Sequence, residues 1–76
     1  MAFINYDKKP EIREYGKYEL AAACSSLSPT YFWGTYLPEN FPDVLVEMRK
    51  AGYKDKGMRN INPRIAKILI EAIFGQ

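Results

Sequence analysis

Five basic side chains crowd one stretch of this 76-residue chain: Lys54, Lys56 and Arg59, then Arg64 and Lys67. Cations at that density supply the chemistry of phosphate binding, because each ammonium or guanidinium neutralises one anion of a nucleic-acid backbone and releases its counterion. The formal net charge is only +2, but it is unevenly divided. Residues 1–48 hold four cations against seven carboxylates, a net of −3. Residues 49–67 add Arg49 and Lys50 to the five above and oppose them with Asp55 alone, a net of +6. A polyanionic partner is the simplest use for such a segment, although the same charges, left fully solvated, also serve solubility.

Other chemistries lack their residues. There is one cysteine and no histidine, so no intrachain disulfide forms and zinc or haem would miss its usual ligands; no metal and no cofactor is expected. Cys24, at the end of the run Ala21-Ala22-Ala23-Cys24, reads as a small buried apolar side chain, since no imidazole exists to activate it. The carboxylate pairs Glu11 with Glu14 and Asp43 with Glu47 have the look of ordinary surface charge. No catalytic base, nucleophile or phosphate-cradling glycine loop is recognisable, so the chain is not read as an enzyme. Residues 1–7 lack the charged region and apolar stretch of a signal peptide, and the apolar runs fall far short of the roughly 20 residues that span a bilayer. A cytoplasmic protein without membrane contact is expected.

The elements that must position the cations follow from length and punctuation. A chain of this size buries only about 60% of its unfolded surface, enough for one modest core and a single domain over residues 1–76. With 47% hydrophobic residues, six Tyr, four Phe and one Trp, that core should exist. Its stability should be a few kcal/mol, to which homo-oligomerisation would add. Residues 1–15 read as an extended arm or short strand: Phe3-Ile4-Asn5-Tyr6 suits a short strand or arm, Lys8-Lys9-Pro10 ends it, and residues 11–15 alternate polar with apolar. Residues 16–76 read as helical. A first helix starts near Gly16 or Lys17 and reaches Cys24, with Leu20 and Cys24 on one face and Ala21 at its edge. Residues 25–28 break it, and Ser28-Pro29 opens a second helix that Pro38 is expected to end near Leu37. A third helix runs over residues 42–51 with Phe41, Leu45 and Met48 inward, and Gly52 caps it. The loop over residues 52–59 is polar and basic, with Tyr53 interleaved among its cations. The last helix opens at Asn62-Pro63, carries the stripe Ile65, Ile68, Leu69, Ala72 and Ile73, sets Arg64, Lys67 and Glu71 opposite it, and stops at Gly75. The expected class is all-α: a small four-helix domain with a helix-turn-helix-like pair and a short extended N-terminal segment.

A helix, a short break and a Ser-Pro helix start make the pattern of a helix-turn-helix, whose second helix enters the major groove of DNA. Any two short helices joined by a tight turn also meet that pattern. Residues 29–37 contain no Arg, Lys, Asn or Gln, so Thr30, Tyr31, Thr35 and Tyr36 would work through hydroxyl, methyl and phosphate contacts. Phe32 and Trp33 are expected in the core, with Tyr31 and Tyr36 nearer the surface. The aromatic run without readout side chains suits a second reading, a protein-binding module such as a phage-encoded inhibitor or a virion component.

The block Arg13-Glu14-Tyr15-Gly16-Lys17-Tyr18-Glu19-Leu20-Ala21 resembles the opening of a family of short uncharacterised proteins of Bacteroides and its mobile elements, in which Tyr-Gly-Lys-x-Glu-Leu-Ala begins the first helix. Leu45, Ala51-Gly52-Tyr53, Arg59, Asn62-Pro63, Ile65, Ile68 and Gly75 are similar to that family's closing block. The resemblance covers residues 12–75 and departs from the family between Phe32 and Phe41. It implies a small helical, regulator-like protein of a bacterial or phage-infected cell, and no established ligand.

Overall fold

The computed structural model describes residues 9–75, so the extended piece expected at residues 3–6 lies outside it. In chain order the elements are β1 (Tyr15–Gly16), α1 (Lys17–Cys24), α2 (residues 29–40), α3 (Pro42–Lys50), β2 (Asn60–Ile61) and α4 (Pro63–Phe74). Helix dominates, but the all-α expectation needs a correction. Tyr15 pairs with Ile61 and Gly16 with Asn60 in a two-residue antiparallel ladder. The reason lies across the chain: α1 begins directly after Gly16, its first amides have no helical acceptor, and the Lys17 N–H finds one in the distant Arg59 carbonyl at 2.7 Å.

Capping chemistry sets most helix ends where the residue types predict. The Glu19 carboxylate accepts from the Gly16 N–H at 3.1 Å at the head of α1. At its tail Ser25 turns extended, and its hydroxyl accepts from the Leu27 N–H at 3.2 Å, which breaks the chain before the next helix. The Ser28 hydroxyl accepts from the Tyr31 N–H at 3.3 Å, and Pro29 takes the first helical position. Asn62 does the same for Ile65 at 2.9 Å, and Gly75 closes α4 at φ 73°.

Pro38 does not end α2. The helix passes through a π turn over Phe32–Tyr36 and continues over Leu37–Asn40, until Phe41 leaves helical space at φ −135°, ψ 54°. A proline in regular α-helix clashes with the carbonyl four residues back and leaves it without a donor. The Leu37 N–H instead reaches back five residues to the Phe32 carbonyl, and this widened turn shifts the register just ahead of Pro38.

The chain turns at the end of α3 with two bonds: Gly52 N–H to Arg49 O at 3.0 Å and Tyr53 N–H to Met48 O at 2.9 Å. Gly52 adopts φ 112°, and the pair of bonds is a Schellman closure, which brings the residue after the glycine onto the helix it ends. Tyr53 is therefore buried, 5% exposed, rather than interleaved with the loop cations as expected. Helix α4 also differs from expectation. Its buried residues are Ile65, Ala66, Leu69, Ile70 and Ile73, while Ile68 is half-buried and Ala72 exposed. It packs on both α3 and α1, and Ala66 and Ile70, four residues apart, widen its buried face. Side chains from every element join one core around Leu20, Phe32, Leu37, Met48, Ile61 and Leu69.

Gly34 lies exposed inside the π turn, and a Cβ placed there would meet no atom within 4 Å. Gly34→Ala should therefore raise stability by about 0.5–1 kcal/mol through helix propensity, read as a higher urea midpoint. An unchanged or lower midpoint would mean that the π turn itself requires glycine.

Candidate functional site

Lys17, which opens α1, holds the surface around the basic loop together. Its carbonyl accepts the indole N–H of Trp33 at 2.9 Å, and its amide donates to Arg59 O. Its ammonium donates to the carbonyl of Asp55 at 3.0 Å, 38 positions away, and lies 5.4 Å from the ring centres of both Trp33 and Tyr53. Those rings stack with centroids 5.5 Å apart, and Phe32 meets Trp33 edge-on at 5.3 Å. Stacked pairs contribute about 0.5–1.5 kcal/mol beyond burial, and a partly desolvated cation over a ring about 1 kcal/mol more. The loop is thus fastened at Tyr53, Asp55 and Arg59. Lys17 was absent from the sequence-derived site because no local pattern marks it; its partners come from three separate segments.

Between the first turn of α1 and the loop runs a groove of about 660 Å³ lined by Gly16, Lys17, Tyr18, Glu19 and residues 55–59. An adjoining hollow of about 390 Å³ shares Lys17, Tyr18, Asp55 and Lys56 with it and extends to Thr30, Gly34 and Arg49. Lys56, Arg59 and Thr30, three of the residues singled out from the sequence, border this continuous depression. Lys54 stands one position before it. Arg64 and Lys67 line neither part; they lie exposed on α4, three residues apart and on one face. The Asn62 side chain occupies the Ile65 amide and Pro63 has no N–H, so the head of α4 offers less to an anion than its position suggests.

Tyr31 and Tyr36 lie elsewhere, in a hollow of about 500 Å³ with Ser26, Leu27 and Ser28 and no charged residue. Tyr31 is 48% exposed, whereas Tyr36 is half-buried, stacked on Phe32 at 5.9 Å and against Phe41 at 6.1 Å. The structure therefore brings Thr30 to the cations and separates Tyr31 and Tyr36 from them. Tyr18, 65% exposed and bordering both parts of the depression, is the aromatic that sequence reasoning missed. Its neighbours Gly16 and Lys17 at a helix start were the available signal.

Charge in the depression is sorted by pairing. The Glu19 carboxylate is held by Arg13 at 2.9 Å and by the Gly16 amide, and these bonds keep its carboxyl below the ordinary value. Arg49 binds both oxygens of Asp55, at 3.0 and 3.2 Å. Exposed pairs such as these add little to stability, because solvent screens them. Their larger effect is on the surface field, since both carboxylates of the groove face a committed arginine. Among the described residues, Lys54, Lys56, Arg59, Arg64 and Lys67 have no carboxylate within salt-bridge distance. No group of three or more metal-ligating side chains occurs among these residues, and no described helix is long and apolar enough to cross a membrane.

Two buried groups set a pH limit on this scaffold. Burial pushes the Cys24 thiol from 9.0 up to about 12, and burial with the nearby Asp55 charge pushes the Tyr53 hydroxyl from 10.0 up to about 12. A raised folded value means that stability is complete below the unfolded value and is lost as pH rises towards the folded one. Urea midpoints should thus hold up to about pH 9 and fall between 9 and 12, with the onset moved towards 10 in Cys24→Ala. The native thiol should resist alkylation at neutral pH and react once urea unfolds the chain; equal rates in both states would refute its burial. No known protein family, curated protein or solved structure matches this chain.

Proposed function

We propose that this chain binds nucleic acid, DNA in the first instance, through phosphate-led contacts made by the basic loop and the wet face of α4. One observation carries the reading: Lys54, Lys56, Arg59, Arg64 and Lys67 are all exposed and lack ion-pair partners among the described residues, while Arg13, Arg49 and Lys50 are paired. Unpaired cations on an anchored loop suit a regular polyanion, because little side-chain or backbone order remains to be imposed on binding. In this reading α1 and α2 act as a helix-turn-helix-like pair in which Tyr31 and Tyr36 keep to their own uncharged hollow and the exposed first turn of α2 brings Thr30 to the duplex. That turn offers hydroxyls but no Arg, Lys, Asn or Gln, so register on the backbone outweighs base discrimination. The setting would be the cytoplasm of a bacterial or phage-infected cell.

The second reading, a protein-binding module, rests on the uncharged hollow of Leu27, Tyr31 and Tyr36. The two assign different residues. Substituting Tyr31 should weaken a protein contact, whereas substituting the loop cations should leave that contact standing.

Titration of a random-sequence duplex by fluorescence anisotropy should show binding whose logarithm falls linearly with that of salt between about 50 and 200 mM. The double variant Lys56→Ala/Arg59→Ala should reduce that slope by roughly 2, one per lost phosphate contact, and weaken all sequences alike. Absence of binding to duplex and single strand alike at the lowest salt would refute the proposal.

A further inference from the structure

We infer that the groove between α1 and the basic loop takes a single-stranded nucleic-acid segment in preference to duplex, with one base stacked on Tyr18 and flanking phosphates on Lys56 and Arg59. The inference rests on the nucleic-acid reading above and names the form of ligand that its central groove fits. Tyr18 is the starting point. In a chain that commits Tyr15, Phe32, Trp33 and Tyr53 to its core, Tyr18 is 65% exposed and makes no ring contact among the described residues. It stands in the first turn of α1, so its backbone is fixed by the same bonds that fasten Lys17.

The walls around it suit a nucleotide. A groove of about 660 Å³ falls in the range of small-ligand clefts, roughly 300–1,000 Å³. Lys56 and Arg59 border it, and the carboxylates that share it, Glu19 and Asp55, are bound by Arg13 and Arg49. Lys17 is engaged with the Asp55 carbonyl and two rings, which makes it a support for the floor rather than a ligand. The adjoining hollow leads past Tyr18 to Thr30 and the side-chain-free surface of Gly34, an exit for the continuing strand. Duplex DNA stacks its bases on one another and presents no free base face to an aromatic ring inside a groove. An unpaired base does, and stacking on an aromatic accepts any base.

The test compares labelled oligothymidine with the duplex that it forms with oligodeoxyadenosine, by anisotropy at low salt. The single strand should bind more tightly. Tyr18→Ala should lower the ratio of single-strand to duplex affinity about tenfold or more, and Tyr18→Phe should preserve it. Far-ultraviolet circular dichroism checks that the exposed substitution leaves the helices intact. Equal or tighter binding of duplex, or an unchanged ratio in Tyr18→Ala, would overturn the inference while leaving the nucleic-acid reading in place. Failure of both ligands to bind would overturn that reading and this inference with it.

Discussion

The indole of Trp33, held between Lys17 and Tyr53, is the contact on which the remaining arrangement depends. It joins three segments with no regular structure in common: the head of α1, the π turn of α2 and the residue that leaves α3. The bond from indole N–H to Lys17 O satisfies a buried donor that would otherwise cost about 1–3 kcal/mol. That is a large share of the stability open to a domain of this size. The π turn follows from the same demand. A helix containing Pro38 must release a backbone bond somewhere, and it does so across the turn that carries Phe32 and Trp33 into the core.

From that contact the chain reaches its surface in short steps. The Schellman closure at Gly52 seats Tyr53 under the ammonium of Lys17, and the ammonium in turn fixes the carbonyl of Asp55. Asp55 is thereby placed for Arg49, and Arg59 is bound through its carbonyl to the start of α1. The residues between, with Gly57 at φ 80°, form an arc anchored at both ends. Met58 packs against the core from it, while Lys56 and Arg59 stay exposed. A basic loop held in this way differs from a free tail of equal charge: less order must be imposed before it meets a phosphate backbone.

The block of residues from Tyr15 to Ala21 shows how closely local and distant roles coincide. Tyr15 pairs with β2 and donates its hydroxyl to Glu11 O at 2.7 Å, Gly16 heads the helix, and Glu19 caps it. Leu20 and Ala21 are fully buried, while Lys17 and Tyr18 face the groove. Core and candidate site share one stretch of chain, so a substitution here has to be read for both.

Sequence alone determined the helix starts at Ser28-Pro29 and Asn62-Pro63, the stops at Gly52 and Gly75, the break at residues 25–28, the burial of Cys24, and the imbalance that makes residues 49–67 cationic. Each depends on groups within about one helical turn or on simple charge, and those are legible in order along the chain. Four features were settled by tertiary structure: the passage of α2 through Pro38, the inward turn of Tyr53, the wider buried face of α4, and the strand pair between residues 15–16 and 60–61. The candidate site divides the same way. Lys56, Arg59 and Thr30 could be named from residue type, but their meeting at one depression, the support from Lys17 and the exposure of Tyr18 could not. These depend on contacts between residues 16 to 42 positions apart, whose energies compare only once the helices have packed, since a local pattern cannot specify which distant ring or carbonyl will complete it.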